Sequence, residues 1–172
     1  MEEAIRFVEG NDELARALGV EGPEELAVRP LAQGEHNVNF LLRAGDGRRF
    51  VLRINCASQL GLADQIGYEY GALRVLAPSG RTPEPLYVDG TRRRIGRGVL
   101  VESFVEGPWI DLRDPRQVRE AARALADVHS VAAPPDGALL RPEDPLRAQL
   151  ESCRRLFDGY RGSDLAEARV VG

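Results

Sequence analysis

The chain has 172 residues, 43% of them apolar, with 23 basic against 27 acidic side chains and a net charge of −4. That is enough for one or two small domains with a real hydrophobic core, and the acidic balance argues against a nucleic-acid binder. No apolar run approaches the ~18 residues of a membrane span, and no basic region followed by an apolar stretch opens the chain, so a cytoplasmic location is expected.

Residues 1–27 read as two short helical pieces. Asn11 can cap a run over Asp12–Leu18 that Gly19 ends, and Pro23 starts a second turn of helix. A strand-rich block follows, with candidate strands at 28–32, 38–44 and 49–54. Gly45-Asp46-Gly47 is a strong turn signal between the last two. Residues 62–77 read as an amphipathic helix stopped by Pro78, and two more strands, 85–89 and 98–105, flank an Asp89-Gly90 turn. The Arg-rich patch Arg92, Arg93, Arg94 and Arg97 sits beside that turn and reads as a charged hairpin connection. Helices are expected at 115–130 and 146–157, joined by a Pro-rich connection at 134–145. Val118, Ala121, Ala122, Leu125 and Val128 form the stripe of the first of these. The order of elements is that of an α+β lobe followed by the helices of a second lobe.

All 23 basic residues are arginines. Cys56 and Cys153 share no ligand spacing and suggest neither a disulfide framework nor a metal site.

Alternation in strand 49–54 puts Val51 and Arg53 on one face, and Leu52 and Ile54 on the other. A charge in an apolar strand needs a partner if it is buried. Glu69 lies in helix 62–77, with Leu62, Ile66, Leu73 and Leu76 at −7, −3, +4 and +7, so it shares their apolar stripe. Pairing Arg53 with Glu69 satisfies both. A helix carboxylate that fixes a strand cation is the arrangement kinases use to hold nucleotide phosphates. A purely structural ion pair, or an Arg that snorkels to water, fits the same two residues. Between the first two strands, Gly34 permits close backbone approach to phosphates and Asn37 can donate a hydrogen bond, although a bare hairpin turn fits equally.

Five segments in order carry a resemblance. They are Leu31-Ala32-Gln33-Gly34-Glu35-His36-Asn37-Val38-Asn39-Phe40, then Phe50-Val51-Leu52-Arg53-Ile54, Glu69 in its helix, Val99-Leu100-Val101-Glu102-Ser103-Phe104-Val105-Glu106-Gly107, and Ala124-Leu125-Ala126-Asp127-Val128-His129. Together they resemble the aminoglycoside phosphotransferase and choline kinase superfamily over roughly residues 25–157. The resemblance implies a kinase-like α+β fold. A five-stranded antiparallel sheet and one main helix would form a nucleotide-binding lobe over 1–106, and the hinge and an incomplete helical lobe would occupy 107–172. By position, Arg53 matches the family's phosphate-binding Lys and Glu69 its helix partner. Gly34 and Asn37 match the phosphate loop, Val51 would pack on adenine, and Ser103, Phe104 and Val105 match the hinge that Gly107 closes. The nucleotide is ATP or GTP. Glu102, just before the hinge, departs from the apolar residue often found there. It either disturbs the adenine pocket or pairs with a nearby Arg.

The resemblance also implies a His-Gly-Asp…Asn loop and a later Asp, for catalysis and for magnesium. Neither His36, in the phosphate loop, nor His129, followed by Ser130-Val131-Ala132-Ala133, begins such a loop. His129 reads as a core histidine, and Phe157-Asp158-Gly159 as a helix end capped by Gly rather than a metal motif. Asp164 has no motif around it, and 165–172 read as another helix beginning. The sequence therefore reads as stopping before the catalytic loop and metal ligands. Three readings follow. One is a small-molecule kinase, transferring phosphate to a hydroxyl, whose remaining lobe is supplied elsewhere. Another is a non-catalytic nucleotide-binding module. The third is a decayed remnant or interaction protein, whose helices after Pro115 expose an apolar face and favour self-association.

Overall fold

The computed structural model describes residues 1–57, 61–132, 134, 139–140 and 143–162. Asp164 and the helix expected at 165–172 lie outside the described residues. The chain divides into two units, residues 1–139 and 140–172.

Two short helices open the first unit, α1 (Glu2–Val8) and α2 (Asp12–Leu18). Asn11 caps α2 as expected, its side chain accepting from the Leu14 N–H at 3.1 Å, and Gly19 closes it in the left-handed region at φ 65°. Pro23–Glu25 is a single 3₁₀ turn. The helix α1 has no counterpart among the sequence expectations. It buries Ala4, Phe7 and Val8, a helical i, i+3, i+4 set, although Met1 provides no side-chain cap.

Five strands follow: β1 (Ala27–Gln33), β2 (Asn37–Arg43), β3 (Arg49–Asn55), β4 (Pro85–Asp89) and β5 (Val99–Ser103). They form one antiparallel sheet in the order β1-β2-β3-β5-β4. Helix α3 (Gln65–Leu76) lies between β3 and β4 in sequence, capped by Asp64 on the Gly67 N–H and followed by a 3₁₀ turn at Ala77–Ser79. The expected α+β fold is present: a five-stranded antiparallel sheet with one main helix, and further helices after it.

The period of two decides which face is buried. Phe40 and Leu42 of β2, Phe50, Leu52 and Ile54 of β3, and Val99 and Val101 of β5 point to one side, where Phe7, Leu14 and Leu18 of α1 and α2 cover them. Val51 and Arg53 point to the other side, as alternation requires. On that side Leu100 is fully buried and α3 packs against β4 and β5. The fit there is tight enough to dictate glycine at 98: an added Cβ would sit 2.7 Å from Cγ2 of Ile66.

Residues 90–98 connect β4 to its antiparallel neighbour β5, which makes the arginine patch a hairpin connection. Asp89 Oδ1 starts the turn by accepting from the Thr91 N–H and hydroxyl.

Helix α4 (Pro115–His129) starts at an Asp114 cap and buries none of its residues. Val118 and Leu125 are exposed, and so is His129, which corrects its reading as a core histidine: among the described residues of the first unit no element buries that stripe. One ion pair, Arg81 to Asp127 at 2.8 Å, ties α4 to the segment before β4. In the second unit, α5 (Pro145–Arg161) runs through Gly159. The helix end expected there is corrected to Gly162, whose N–H reaches the Asp158 and Tyr160 carbonyls. Among the described residues no helix is long and apolar enough to cross a membrane.

Candidate functional site

The sheet face that α3 leaves partly open carries an unusual concentration of polar side chains. Arg53 projects from the middle of β3. Its Nη1 donates to Glu69 Oε2 at 3.0 Å, the pairing expected from strand and helix periodicity. Its Nη2 donates to Glu102 Oε1 at 2.9 Å. Glu102 therefore pairs with an arginine, and that arginine is Arg53. One cation is held between two carboxylates, from α3 and from β5. Gln65, one turn before Glu69, donates to its other oxygen at 2.9 Å and so fixes the carboxylate from behind.

Burial differs along this trio. The Glu102 side chain is 6% exposed, against 20% for Glu69 and 29% for Arg53. Burial pushes the Glu102 carboxyl above the ordinary carboxylate range. Arg53 opposes that push by charge and hydrogen bond, and the Glu69 charge adds to it. Ionised Glu102 thus carries a folding penalty that is present above its folded pKa and disappears as pH falls below its unfolded value.

The trio lines a cavity of about 400 Å³ together with Asn37, Leu73 and Pro83. Asn37 Oδ1 accepts from Asn55 at 3.1 Å, which leaves the Asn37 NH₂ as a donor without a partner among the described residues. Of the expected residues, Asn37, Arg53 and Glu69 meet in this cavity. Gly34, Val51, Ser103, Phe104 and Val105 lie outside its lining.

Each of those has a definite place. Gly34 closes the β1–β2 hairpin, its N–H on the Asn37 carbonyl at 2.9 Å. Neither a positive φ nor a neighbour requires glycine there, since an added Cβ would meet only the Asn37 oxygen at 3.7 Å. Val51 is half-buried and stands directly across from Glu102 in the β3–β5 register. Ser103 ends β5, with its N–H on the Glu84 carbonyl and its hydroxyl accepting from the Glu84 N–H, both at 2.9 Å. Val105 is 65% exposed, and its N–H has no acceptor among the described residues. The strand expected at 98–105 is shorter, so Phe104 and Val105 are connecting backbone. Arg49 steadies this connection. It lies 4.7 Å over the Phe104 ring and pairs with Glu106 at 2.8 Å.

Sequence reasoning passed over Asn39. The β2–β3 register puts it opposite Arg53 on the same face, and its Oδ1 is buried without a partner among the described residues. The same holds for Nε of Arg53. The alternation Asn37-Val38-Asn39 was the available signal, because two amides on one strand face beside a strand arginine make a polar row.

A phosphate would find suitable donors here in the Asn37 amide and the guanidinium, and two carboxylates that oppose its charge. Among the described residues no three His, Cys, Asp or Glu side chains gather as a ready-made metal cage.

The profile of the phosphotransferase enzyme family matches residues 27–170. The chain belongs to that family. Homoserine kinase of Rhizobium meliloti strain 1021 is 33% identical over 127 residues, 69% of this chain and 37% of that protein. Homoserine kinase of Sinorhizobium medicae strain WSM419 is 32% identical over 130 residues, 70% of this chain and 38% of that protein. The phosphotransferase-family chain thus spans little more than a third of the length of these curated relatives. A crystal structure from Ralstonia eutropha JMP134, of a protein assigned as an aminoglycoside phosphotransferase, superposes with a TM-score of 0.62 at 21% identity. It covers 90% of this chain and 49% of that one, and carries the likeness of fold.

Proposed function

We propose that this chain supplies the nucleotide-binding lobe, residues 1–106, of a kinase that phosphorylates a small-molecule hydroxyl. The observation that carries the reading is the Arg53–Glu69 pair at 3.0 Å on the wall of a cavity between the sheet and α3. Such a pair presents a fixed cation to phosphate oxygens. Asn37 adds a neutral donor, half-buried Val51 offers an apolar surface to a base, and the Val105 N–H, without an acceptor among the described residues, can make an edge contact. ATP or GTP fits these backbone and apolar contacts alike, and a cytoplasmic location suits either. The acceptor is a small hydroxyl compound, in keeping with the homoserine kinases that match 69–70% of this chain.

The sequence after β5 contains no His-Gly-Asp…Asn loop, so the expected outcome for these 172 residues is binding without transfer. Calorimetric titration with ATP should give a saturable 1:1 isotherm. Absence of saturation up to millimolar ATP, in protein that is folded by circular dichroism, would sink the reading.

The exposed apolar side chains after β5 also support self-association. Trp109 is 97% exposed, Leu112 76% and Leu125 56%. Light scattering should show the apparent mass rising with concentration, and a monomer mass at every concentration would count against it.

A further inference from the structure

We propose that Glu102 is a positioning residue for Arg53, and that its ionisation decides whether the guanidinium serves its two carboxylates or an anionic ligand. The proposal rests on the reading of the α3 cavity as the nucleotide site and names the control on it.

The argument starts from hydrogen-bond capacity. Both Nη atoms of Arg53 are engaged, Nη1 by Glu69 and Nη2 by Glu102, and Nε is buried without a partner among the described residues. The two carboxylates are not equivalent. Glu69 is held from two sides, by Arg53 and by Gln65. The Glu102 carboxylate has Arg53 as its one hydrogen-bond partner among the described residues. Losing the charge on Glu102 therefore loosens one grip on the guanidinium and leaves the other intact.

The surroundings fix the sign. The charged and titratable groups facing Glu102 are Arg53 from β3, and Glu69 and Tyr68 from α3. Strand β4 brings only Pro85 opposite it, and β2 brings the neutral Asn37. With both carboxylates ionised the trio carries a net charge of −1, and a phosphate adds to it. Protonating Glu102 makes the trio neutral and frees Nη2 to turn to the ligand. Ligand binding should thus take up a proton at Glu102, and affinity should rise as pH falls. One fully linked proton gives about tenfold per pH unit. Burial of Glu102 moves that window upward from the ordinary carboxylate range.

The test uses the full chain. Arginine side-chain nitrogen NMR follows the Arg53 guanidinium against pH, and calorimetry with ATP in two buffers of different ionisation enthalpy counts protons. Glu102→Gln keeps an acceptor for Nη2 and cannot titrate. In the wild type the guanidinium signals should move with a single ionisation, and ATP binding should take up a proton. In the variant both responses should vanish, leaving only the pH dependence of ATP itself, which is common to both proteins. A merely structural Glu102 would leave the pH profiles of the two proteins parallel, and that result overturns the proposal. So do guanidinium signals that stay flat across the range in the wild type, a measurement that needs no variant. If those signals titrate as expected and ATP binds at no pH, the nucleotide reading falls and the positioning role stands.

Discussion

Arg53→Ala will weaken the fold and the hold on a nucleotide together. Among the described residues Arg53 is the one cation paired with Glu69 and Glu102, which approach it from α3 and β5 at 3.0 and 2.9 Å. Truncation leaves two carboxylates facing each other without a cation between them, one of them nearly inaccessible to water. Breaking a fully buried pair costs about 3–5 kcal/mol, and with Arg53 29% exposed about 2–3 kcal/mol is expected here. The pH dependence distinguishes this mechanism from lost packing. Without its cation, Glu102 titrates further above its unfolded pKa, so the excess cost is full above that folded value and fades as pH falls toward the unfolded one. Urea unfolding of variant and wild type at pH 7.5 and 5.5 should show the difference shrinking at the lower pH. A difference that is constant with pH would mean that the carboxylates are not the cause. ATP affinity should fall tenfold to a hundredfold, the worth of one charge-assisted hydrogen bond. An unchanged affinity would remove Arg53 from the site.

Phe7→Ala will be the more damaging change to stability. Phe7 is fully buried, packs among Leu14, Leu42 and Leu52, and meets the Tyr87 ring edge-to-face at 6.1 Å. Removing a buried phenyl costs about 3–5 kcal/mol, part of it the aromatic pair. That is a large share of the roughly 5–15 kcal/mol that holds a domain. Unlike Arg53→Ala, the loss should be the same at both pH values, because no titrating group is exposed. A midpoint within experimental error of wild type in chemical denaturation would show that α1 is not part of the core.

These two positions mark what the sequence made legible and what it did not. Alternation fixed the faces of β3, and helical spacing placed Glu69 beside Arg53, because both signals come from residues within one element. Helix α1 escaped because seven residues are too few for a clear period and no capping side chain announces it. Glu102 could be placed near an arginine, but not with a named one. Strand β5 buries Val99 through Glu102 without alternation, so its facing appears only in the register that sets Val51 against Glu102. Asn39 was hidden for the same reason, since its neighbour Arg53 is visible only across strands. His129 and Gly159 misled because a local pattern says nothing about whether anything packs over a helix or whether the helix has reason to stop.

The clamp on Arg53 also decides which reagents can report on this pocket. Acylating probes label a cavity by forming an amide with a primary amine, and the cation on this cavity wall is a guanidinium, in a sequence of 172 residues without a single lysine. Such a probe would find no side-chain amine to acylate in these 172 residues. A dicarbonyl that condenses with guanidinium groups would meet the opposite difficulty, because Arg53 has its two terminal nitrogens occupied by carboxylates. The chemistry that makes the cation permanent also makes it silent to covalent labelling.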